Sequence, residues 1–314
     1  MKPLAGKIAI VAGATRGAGR GIACMLGEAG ATVYCTGRSV RGQPATPGRP
    51  ETIEETAEMV TAHGGEGIFA QVDHTDKAQV QALVERVRAK QGRLDILVND
   101  IWGGDALTEW GKPFWQLDLA KGFTMLERAI HTHIITSRYA VPLMLDTGPG
   151  LVIEITDGAD VYYRQSLFYD LVKMSVIRLA YAMALELREH RITSVALTPG
   201  FLRSEFMLDL FEVTEANWQE AARKKEPHFI ASETPFFVGR AAAALAADPQ
   251  VFEKTGGVFS SWGLAREYNF DDVDGRRPDW GHYFEENVAP TPEGHTILES
   301  QAAYWEAFDQ DKST

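Results

Sequence analysis

The sequence predicts an α/β fold in which a doubly wound sheet of about seven parallel strands carries helices on both faces. Three observations lead to this prediction. Short apolar runs rich in β-branched residues alternate with longer stretches of helical periodicity, as in a parallel sheet that is covered on both sides. The first run leads directly into a glycine-rich turn. No stretch rich in Pro, Gly or Ser divides residues 1–263 into two domains.

The predicted strands and helices alternate along the chain. The strands are the runs 7–13, 31–37, 67–73, 94–100, 151–156, 192–198 and 256–262. The helices lie at about 17–29, 51–63, 76–91, 121–146, 168–190 and 236–247. Residues 41–50 are expected to form an exposed loop. Residues 264–314 are polar and aromatic, and we expect them to form an atypical C-terminal extension packed on the domain of residues 1–263.

Composition and charge limit the classes of partner. The chain has 314 residues, of which 45% are hydrophobic and 24% charged, and a formal net charge of −12. Its Lys and Arg residues are scattered, which argues against nucleic acid or an anionic membrane and favours a small molecule as the partner. No apolar stretch suits a signal sequence or approaches the roughly 18 residues of a membrane helix. Cys24 and Cys35 have neither disulfide nor metal-ligand spacing. We therefore expect a soluble cytoplasmic protein without a metal.

The first strand, "KIAIVAG", runs into the turn "GATRGAGRG". This turn carries Gly13, Thr15, Arg16, Gly17 and Gly19, with its three glycines in G-x-x-x-G-x-G spacing between a strand and a helix. Glycines let the backbone approach a pyrophosphate, and the helix N-terminus offers amide donors and the positive end of a dipole. The turn predicts the dinucleotide site of a Rossmann-type fold; the alternative is a glycine-rich turn without a ligand.

The end of the second strand predicts which cofactor binds. NAD-binding folds usually place an acidic residue there to hold the ribose hydroxyls. Here the strand ends "YCTGRSVR", with Arg38 and no acid, and Arg16 lies in the glycine turn. Guanidinium groups hold a 2′-phosphate through charge-assisted pairs of hydrogen bonds. The sequence therefore favours NADP(H), unless both arginines are only solvated surface residues.

Polar residues also follow the third and fourth strands. Asp73, in "QVDHTD", suits an adenine amino group as an acceptor, or alternatively caps the helix that begins near Asp76. Asn99, in "VNDIWGG", is expected to tie the strand ends together and to border the cofactor. Trp102 in the same segment would add an apolar wall.

Tyr169 and Lys173 open the helix after the fifth strand. Four residues apart on a helix, their side chains lie on one face. A nearby ammonium group stabilises a phenolate and moves the pKa of the phenol toward neutral pH, where acid–base catalysis is most efficient. The alternative is an exposed Tyr and Lys on a helix surface.

The sixth strand ends in "TPGFLRSE", which contains Pro199, Gly200 and Ser204. The long segment 200–235 follows, with a helical middle. Its apolar residues are expected either to form a lid over the substrate or to belong to the core; they include Phe201, Phe206, Met207, Leu210, Phe211 and Trp218. An apolar substrate follows from this composition.

In this order, the motifs resemble the short-chain dehydrogenase/reductase family over residues 5–265. The resemblance implies that Tyr169 is the proton donor in reduction or the base in oxidation, and that Lys173 holds the nicotinamide ribose. It implies that Pro199 and Gly200 border the nicotinamide and that Ser204 contacts its carboxamide. It also implies a homodimer or homotetramer built through the helices predicted at 121–146 and 168–190.

The sequence departs from the family pattern at two positions. The family has a Ser about twelve residues before the Tyr, whereas Thr156 and Asp157 stand here. Thr156 would supply the hydroxyl, or Asp157 would face the site either protonated or ionised; Asp157 as a turn residue is the remaining alternative. The family also has an Asn in the helix after the fourth strand. His131 and His133 are the nearest polar substitutes, as relay members or as packed residues.

The sequence thus predicts an NADP(H)-dependent oxidoreductase that moves a hydride between nicotinamide and a carbonyl, alcohol or imine carbon. Tyr169 would be the acid or base, Lys173 would tune it, and Asp157 or Thr156 would polarise the substrate. If Asp157 is ionised, a substrate with a basic nitrogen is favoured. The alternative is a non-catalytic NADP(H)-binding or redox-sensing protein that lost the Ser.

Overall fold

The computed structural model describes residues 2–310 of the chain. Its centre is a sheet of seven parallel strands in the order β3-β2-β1-β4-β5-β6-β7. The strands are β1 (Ile8–Ala12), β2 (Thr32–Gly37), β3 (Glu66–Gln71), β4 (Ile96–Asn99), β5 (Leu151–Ile155), β6 (Thr193–Thr198) and β7 (Val258–Ser260). Each strand overlaps its predicted run, so the predicted doubly wound fold is confirmed.

Twelve α-helices are assigned within the described residues. They are α1 (Gly17–Glu28), α2 (Ile53–Ala62), α3 (Lys77–Gln91), α4 (Leu119–Leu126), α5 (Thr132–Thr147), α6 (Leu167–Leu187), α7 (Glu205–Leu210), α8 (Gln219–Lys224), α9 (Pro235–Ala247), α10 (Ser261–Tyr268), α11 (Trp280–Asn287) and α12 (Pro292–Gln310). Helices α1, α2, α9 and α10 bury apolar side chains against one face of the sheet, and α3, α5 and α6 against the other. None of the helices in this part of the chain has the length and apolar composition needed to cross a membrane.

The helix predicted at 121–146 is not continuous. The π-helical segment Glu127–His131 separates α4 from α5. A π turn holds one residue more than an α turn and therefore rotates the side chains that follow it, and such turns are frequent at functional sites. His131, the last residue of this segment, is exposed, whereas His133 after it is buried.

The carboxyl ends of the central strands meet at one edge of the sheet. The strand order reverses between β1 and β4, where Ala12 lies beside Asn99, and Asn99 lies in turn beside Glu154 of β5. Ligands of doubly wound sheets bind in the crevice at such a reversal. The residues that follow these strands, at the predicted site, therefore surround one crevice.

The lid segment, residues 200–235, closes on itself beside this crevice. A bridge between Leu202 and Glu233 joins its two ends. Phe229 and Trp218 form its small apolar core. The Trp218 ring lies between two guanidinium groups, 4.2 Å from that of Arg203 and 4.5 Å from that of Arg276.

The C-terminal extension packs on the lid segment. Asp272 accepts a hydrogen bond of 2.8 Å from the backbone of Thr234, and Asp274 accepts one of 2.9 Å from the buried Arg203. The predicted boundary between residues 263 and 264 falls inside α10, which begins at Ser261. Residues 311–314 of the predicted extension lie outside the described residues.

Candidate active site

The glycine turn after β1 is closely packed. Gly13 has a φ of +93°, and a Cβ atom there would lie 2.2 Å from the Asp100 carbonyl oxygen. A Cβ atom on Gly19 would lie 2.4 Å from the Gly13 carbonyl oxygen. Thr15 accepts a hydrogen bond from Arg20 through its carbonyl oxygen. Side chains are therefore excluded where the chain turns, as the predicted close approach of a pyrophosphate requires.

Asp100 links this turn to the fourth strand, and the sequence analysis did not single it out. Its buried carboxyl group accepts a hydrogen bond from the Gly19 amide. Burial raises the pKa of Asp100 to about 7, and the nearby charge of Lys173 acts in the opposite direction. Its position directly after Asn99, at the end of a buried strand, was the available signal.

The Gly17 amide, the first of α1, donates a hydrogen bond of 2.8 Å to the Glu205 carboxylate of α7. Arg20 lies 3.5 Å from the same carboxylate. Glu205 was also not predicted as a site residue, because its partner lies 188 residues away in the sequence. A carboxylate of the protein thus accepts the hydrogen bond of an amide that would suit a phosphate oxygen.

The two predicted arginines, which follow β1 and β2, have acidic partners. Arg16 donates to Glu51 at 3.1 Å, and Arg49 binds the same carboxylate. The Arg16 Nη2 atom is buried and has no hydrogen-bond partner among the described residues. Arg38 lies 3.8 Å from Asp73.

Asp73 does not cap the following helix. Its carboxylate accepts hydrogen bonds from the backbone and hydroxyl of Thr75. Asp76 caps α3 instead, by accepting from Ala78 and Gln79. The helix-cap alternative for Asp73 is therefore wrong, and its Oδ2 atom faces Arg38.

Asn99 does tie strand ends together, through a buried network beneath the crevice. Its Nδ2 atom donates to Glu154 at 2.7 Å and to Ser137 at 3.0 Å. Glu154 lies 2.6 Å from Nδ1 of His133, whose Nε2 atom lies 3.1 Å from the Ile101 carbonyl oxygen. A carbonyl oxygen only accepts, so Nε2 carries a proton, and His133 is held as a packed residue of this network.

Tyr169 and Asp157 form the central contact of the site. The Tyr169 hydroxyl donates a hydrogen bond of 2.7 Å to Asp157 Oδ2. The Thr156 hydroxyl instead donates to the backbone carbonyl oxygen of Lys173 at 2.8 Å, and its side chain is buried. A hydroxyl has a single proton to donate. The geometry therefore brings Asp157, and not the Thr156 hydroxyl, to the predicted acid–base residue.

The Lys173 ammonium group lies above the Trp102 ring, 4.3 Å from its centroid, and 5.4 Å from the centroid of the Tyr169 ring. Burial lowers the pKa of Lys173, whereas the negative charges of Asp157, Asp100 and Asp105 act to raise it. None of the hydrogen bonds formed by the described residues uses its Nζ atom as a donor, which leaves that atom to a ligand.

The expected lowering of the Tyr169 pKa does not occur. Burial, followed by the charge of Asp157 and its hydrogen bond, raises the pKa of Tyr169 well above its ordinary value. Asp157 contacts the hydroxyl directly, whereas the Lys173 ammonium group faces Trp102. The carboxylate therefore outweighs the ammonium group.

Arg164 fixes the loop that carries Asp157. Its Nε atom donates to the Asp157 carbonyl oxygen at 2.7 Å, and its Nη2 atom donates to the Asp160 carbonyl oxygen at 3.1 Å. Nη1 forms a 3.1 Å ion pair with Asp170 of α6. The sequence analysis missed this residue, since a lone Arg in a loop has no local signature. Its buried guanidinium holds the turn in one conformation.

The aromatic walls of the site are Trp102 and Trp110. Their rings lie 5.4 Å and 5.1 Å from that of Tyr169, centroid to centroid. Trp102 is a predicted wall residue, whereas Trp110 lies in the loop before α4, where no pattern pointed to it.

The residues after β6 are largely engaged within the protein. The Gly200 amide donates to the buried Glu233 at 2.9 Å, and a Cβ atom there would lie 2.8 Å from that of Trp280. Ser204 caps α7 by accepting from the Met207 amide. The Pro199 carbonyl oxygen accepts a hydrogen bond from the Thr198 hydroxyl.

The described residues contain no group of His, Cys, Asp and Glu side chains that could hold a metal ion.

Comparisons with known proteins agree with this geometry. The family model described as "short chain dehydrogenase" matches residues 7–214. The chain belongs to the short-chain dehydrogenase/reductases. As a member it belongs to a family of oxidoreductases that use nicotinamide cofactors, so the predicted resemblance is confirmed.

Relatives of this short-chain dehydrogenase/reductase cover most of its length. It is 32% identical over 277 residues to dehydrogenase/reductase SDR family member 1 of Mus musculus, a match that covers 87% of this chain and 85% of the relative. The protein of the same name from Homo sapiens is 33% identical with the same coverage. A solved short-chain dehydrogenase from Mycobacterium thermoresistibile shares the fold, with a TM-score of 0.73 and 21% identity, over 88% of this chain and 92% of that one. The extended loop after β2 and "LARE" at 264–267 are the sequence features that indicate the same subgroup as these two relatives.

Proposed function

We propose that the protein is an NADP(H)-dependent oxidoreductase acting on a carbonyl/alcohol or imine/amine carbon of a small, apolar substrate. The observation that carries the proposal is the contact between Tyr169 and Asp157, with Lys173 one helical turn away, at the sheet edge that also carries the glycine turn. A positioned phenol with a raised pKa is a proton donor held in its neutral form. A purely structural Tyr has no need of this arrangement.

The cofactor, when bound, would supply the hydride. In reduction, Tyr169 donates its hydroxyl proton to the substrate heteroatom, and in oxidation it accepts a proton there. Lys173 would present its ammonium group to the ribose hydroxyls of the bound cofactor. Trp102 and Trp110 provide apolar surface beside the hydroxyl for the substrate.

The preference for NADP(H) over NAD(H) is part of the proposal. Arg16 supports it, because a buried guanidinium nitrogen without a partner fits a phosphate oxygen. Arg38 lies on the same side and is only loosely paired with Asp73. We expect Arg16→Gln to weaken NADPH binding by about tenfold to a hundredfold, the value of one charge-assisted hydrogen bond, and to change NADH binding little. Fluorescence titration with both nucleotides measures this, and an equal loss for both would contradict the preference.

The catalytic part of the proposal is tested with Tyr169→Phe. NADPH oxidation is followed with panels of ketones and imines, and NADP⁺ reduction with alcohols and amines. We expect loss of turnover by about a hundredfold or more, since general acid–base catalysis contributes about 10²–10⁴-fold, with unchanged NADPH binding. Tyr139→Phe, on α5 and away from the site, is the control. NADPH binding without turnover of any substrate by the wild type would instead favour the redox-sensing alternative.

We also propose a homodimer or homotetramer formed through α5 and α6. Exposed apolar side chains on these helices support it: Ile134, Leu145, Leu171, Tyr181 and Leu185 are 40–52% exposed. Light scattering of the wild type and of Leu185→Lys tests it, and a monomeric wild type would refute it. A cytoplasmic location also belongs to the proposal; the free, buried thiols of Cys24 and Cys35 are compatible with it.

A further inference from the structure

The contact between Tyr169 and Asp157 determines which chemical groups surround the reacting heteroatom of the substrate. A heteroatom that exchanges a proton with the Tyr169 hydroxyl must lie within hydrogen-bond reach of it, at about 3 Å. The Asp157 carboxylate lies 2.7 Å from the same hydroxyl. The substrate heteroatom therefore approaches a carboxylate, where most members of the family are expected to present a serine hydroxyl.

The hydrogen-bonding capacity of this position favours a donor on the substrate. An ionised carboxylate only accepts, and its two oxygens offer about four acceptor sites. One oxygen of Asp157 accepts from Tyr169, and the other forms no hydrogen bond with the described residues. Thr156, the neighbouring hydroxyl, donates elsewhere. A ketone oxygen would thus meet an acceptor, whereas an N–H group would find a partner.

Cationic and hydrogen-bond donor groups surround Asp157. The Lys173 ammonium group interacts with it, and the Arg164 guanidinium bonds to its own carbonyl oxygen. The phenol of Tyr169 directs its proton toward it. Opposite charges and donated hydrogen bonds both stabilise a carboxylate.

An ionised Asp157 affects ketone reduction and iminium reduction in opposite directions, because the reacting oxygen and nitrogen carry charges of opposite sign. As a hydride reaches a carbonyl carbon, the oxygen gains negative charge, which a carboxylate repels. As it reaches a protonated imine, the nitrogen still carries part of its positive charge in the transition state. The interaction of two unit charges about 4 Å apart near a protein surface corresponds to about a thousandfold in kcat/KM, which sets an upper limit for these partial charges. The Trp110 ring beside Tyr169 also suits a cation, whereas Trp102 already faces the Lys173 ammonium group.

We propose that the substrate is an imine bound as its protonated or N-alkylated iminium cation, which is reduced to the amine; this rests on the oxidoreductase function proposed above. The hydride and its electron pair pass from the reduced nicotinamide to the iminium carbon. The C=N π pair becomes the lone pair of nitrogen, so the imine is reduced and the nicotinamide oxidised. Asp157 holds the cation, and the lone pair of the neutral amine that forms accepts a hydrogen bond from the Tyr169 hydroxyl.

The test compares a fixed cation with a neutral ketone of similar shape. N-methyldihydroisoquinolinium and tetralone are offered with NADPH to the wild type, Asp157→Asn and Asp157→Ser. Asp160→Asn, an exposed carboxylate of the same loop, is the matched control. Binding of the corresponding amine and alcohol in the presence of NADP⁺ is measured by calorimetry, as a readout that does not depend on turnover.

We expect the wild type and Asp160→Asn to prefer the iminium, and the preference to fall by about a hundredfold or more in Asp157→Asn. Asp157→Ser should favour the ketone. The amine should bind the wild type more tightly than it binds Asp157→Asn, while the alcohol should not. Equal preference and equal amine binding in the wild type and Asp157→Asn would overturn the iminium proposal but leave the oxidoreductase standing. Absence of turnover by all variants, with amine binding still dependent on Asp157, would overturn the oxidoreductase and leave only cation binding.

Discussion

Removal of the Glu205 carboxylate should tighten cofactor binding. Glu205 accepts the hydrogen bond of the Gly17 amide, and that amide belongs to the turn we assign to the cofactor phosphates. An incoming phosphate must displace this carboxylate and also meets its negative charge. Glu205→Ala leaves the amide open, and Glu205→Gln keeps the side-chain shape without the charge.

The magnitude follows from the contact. A hydrogen bond to a charged group contributes about 1.5–3 kcal/mol. The Glu205 side chain is 26% exposed, so solvent screens part of this, and we take about 1–2 kcal/mol. NADPH should therefore bind Glu205→Ala about five- to thirtyfold more tightly than it binds the wild type. Without NADPH, the same variant should be less stable by a similar free energy.

Fluorescence titration with NADPH and urea unfolding measure the two effects. Glu212→Ala is the matched control, because Glu212 is a carboxylate of the same lid segment that pairs only with Lys225 among the described residues. It should change neither quantity beyond a few tenths of a kcal/mol. NADPH binding to Glu205→Ala that equals or falls below that of the wild type would refute the reasoning.

Three further predictions follow from other contacts. In Asp157→Asn, the pKa of Tyr169 should fall, because the negative charge that opposes ionisation of the phenol is gone. The loss of reductase activity at high pH should therefore begin at a lower pH than in the wild type, and coincident pH–rate profiles would contradict this. Gly19→Ala should abolish NADPH binding and lower the thermal midpoint, since its Cβ atom would lie 2.4 Å from the Gly13 carbonyl oxygen; retained binding would show that the turn can relax. Arg203→Met should cost about 1–2 kcal/mol in urea unfolding, because Glu215 and Asp274 lose the buried guanidinium that they share but are themselves partly exposed to solvent; the exposed Arg223→Met should cost little, and equal losses would argue against the contribution of the Arg203 ion pairs.

The placements in the fold that the sequence predicted correctly follow local patterns. The position of Gly13 between a strand and a helix defines the turn, and the spacing of Tyr169 and Lys173 places both side chains on one helix face. The strands were found because each is buried on both sides and is therefore apolar throughout. Local pattern and fold agree in these places, so sequence alone was sufficient.

The partners across the crevice could not be predicted in this way. Glu51 contacts Arg16 from 35 residues away, and Glu205 reaches Gly17 from 188 residues away. Sequence spacing also left Thr156 and Asp157 as equal candidates, because neighbouring residues at the end of a strand point in different directions. Only the backbone path shows that Thr156 turns toward α6. The raised pKa of Tyr169 likewise depends on which charge is nearer, which no motif encodes.

The buried guanidinium of Arg203 determines how much of the chain must move when the crevice opens. It bonds to Glu215 in the middle of the lid segment and to Asp274 in the extension, while Trp280 of the extension covers Gly200. The lid segment cannot move away without carrying these C-terminal residues or breaking the ion pairs of the Arg203 guanidinium. Such a movement involves a larger unit than a free loop and is expected to be slower. If product release requires this movement, substitutions in the extension should alter turnover although they lie far from Tyr169.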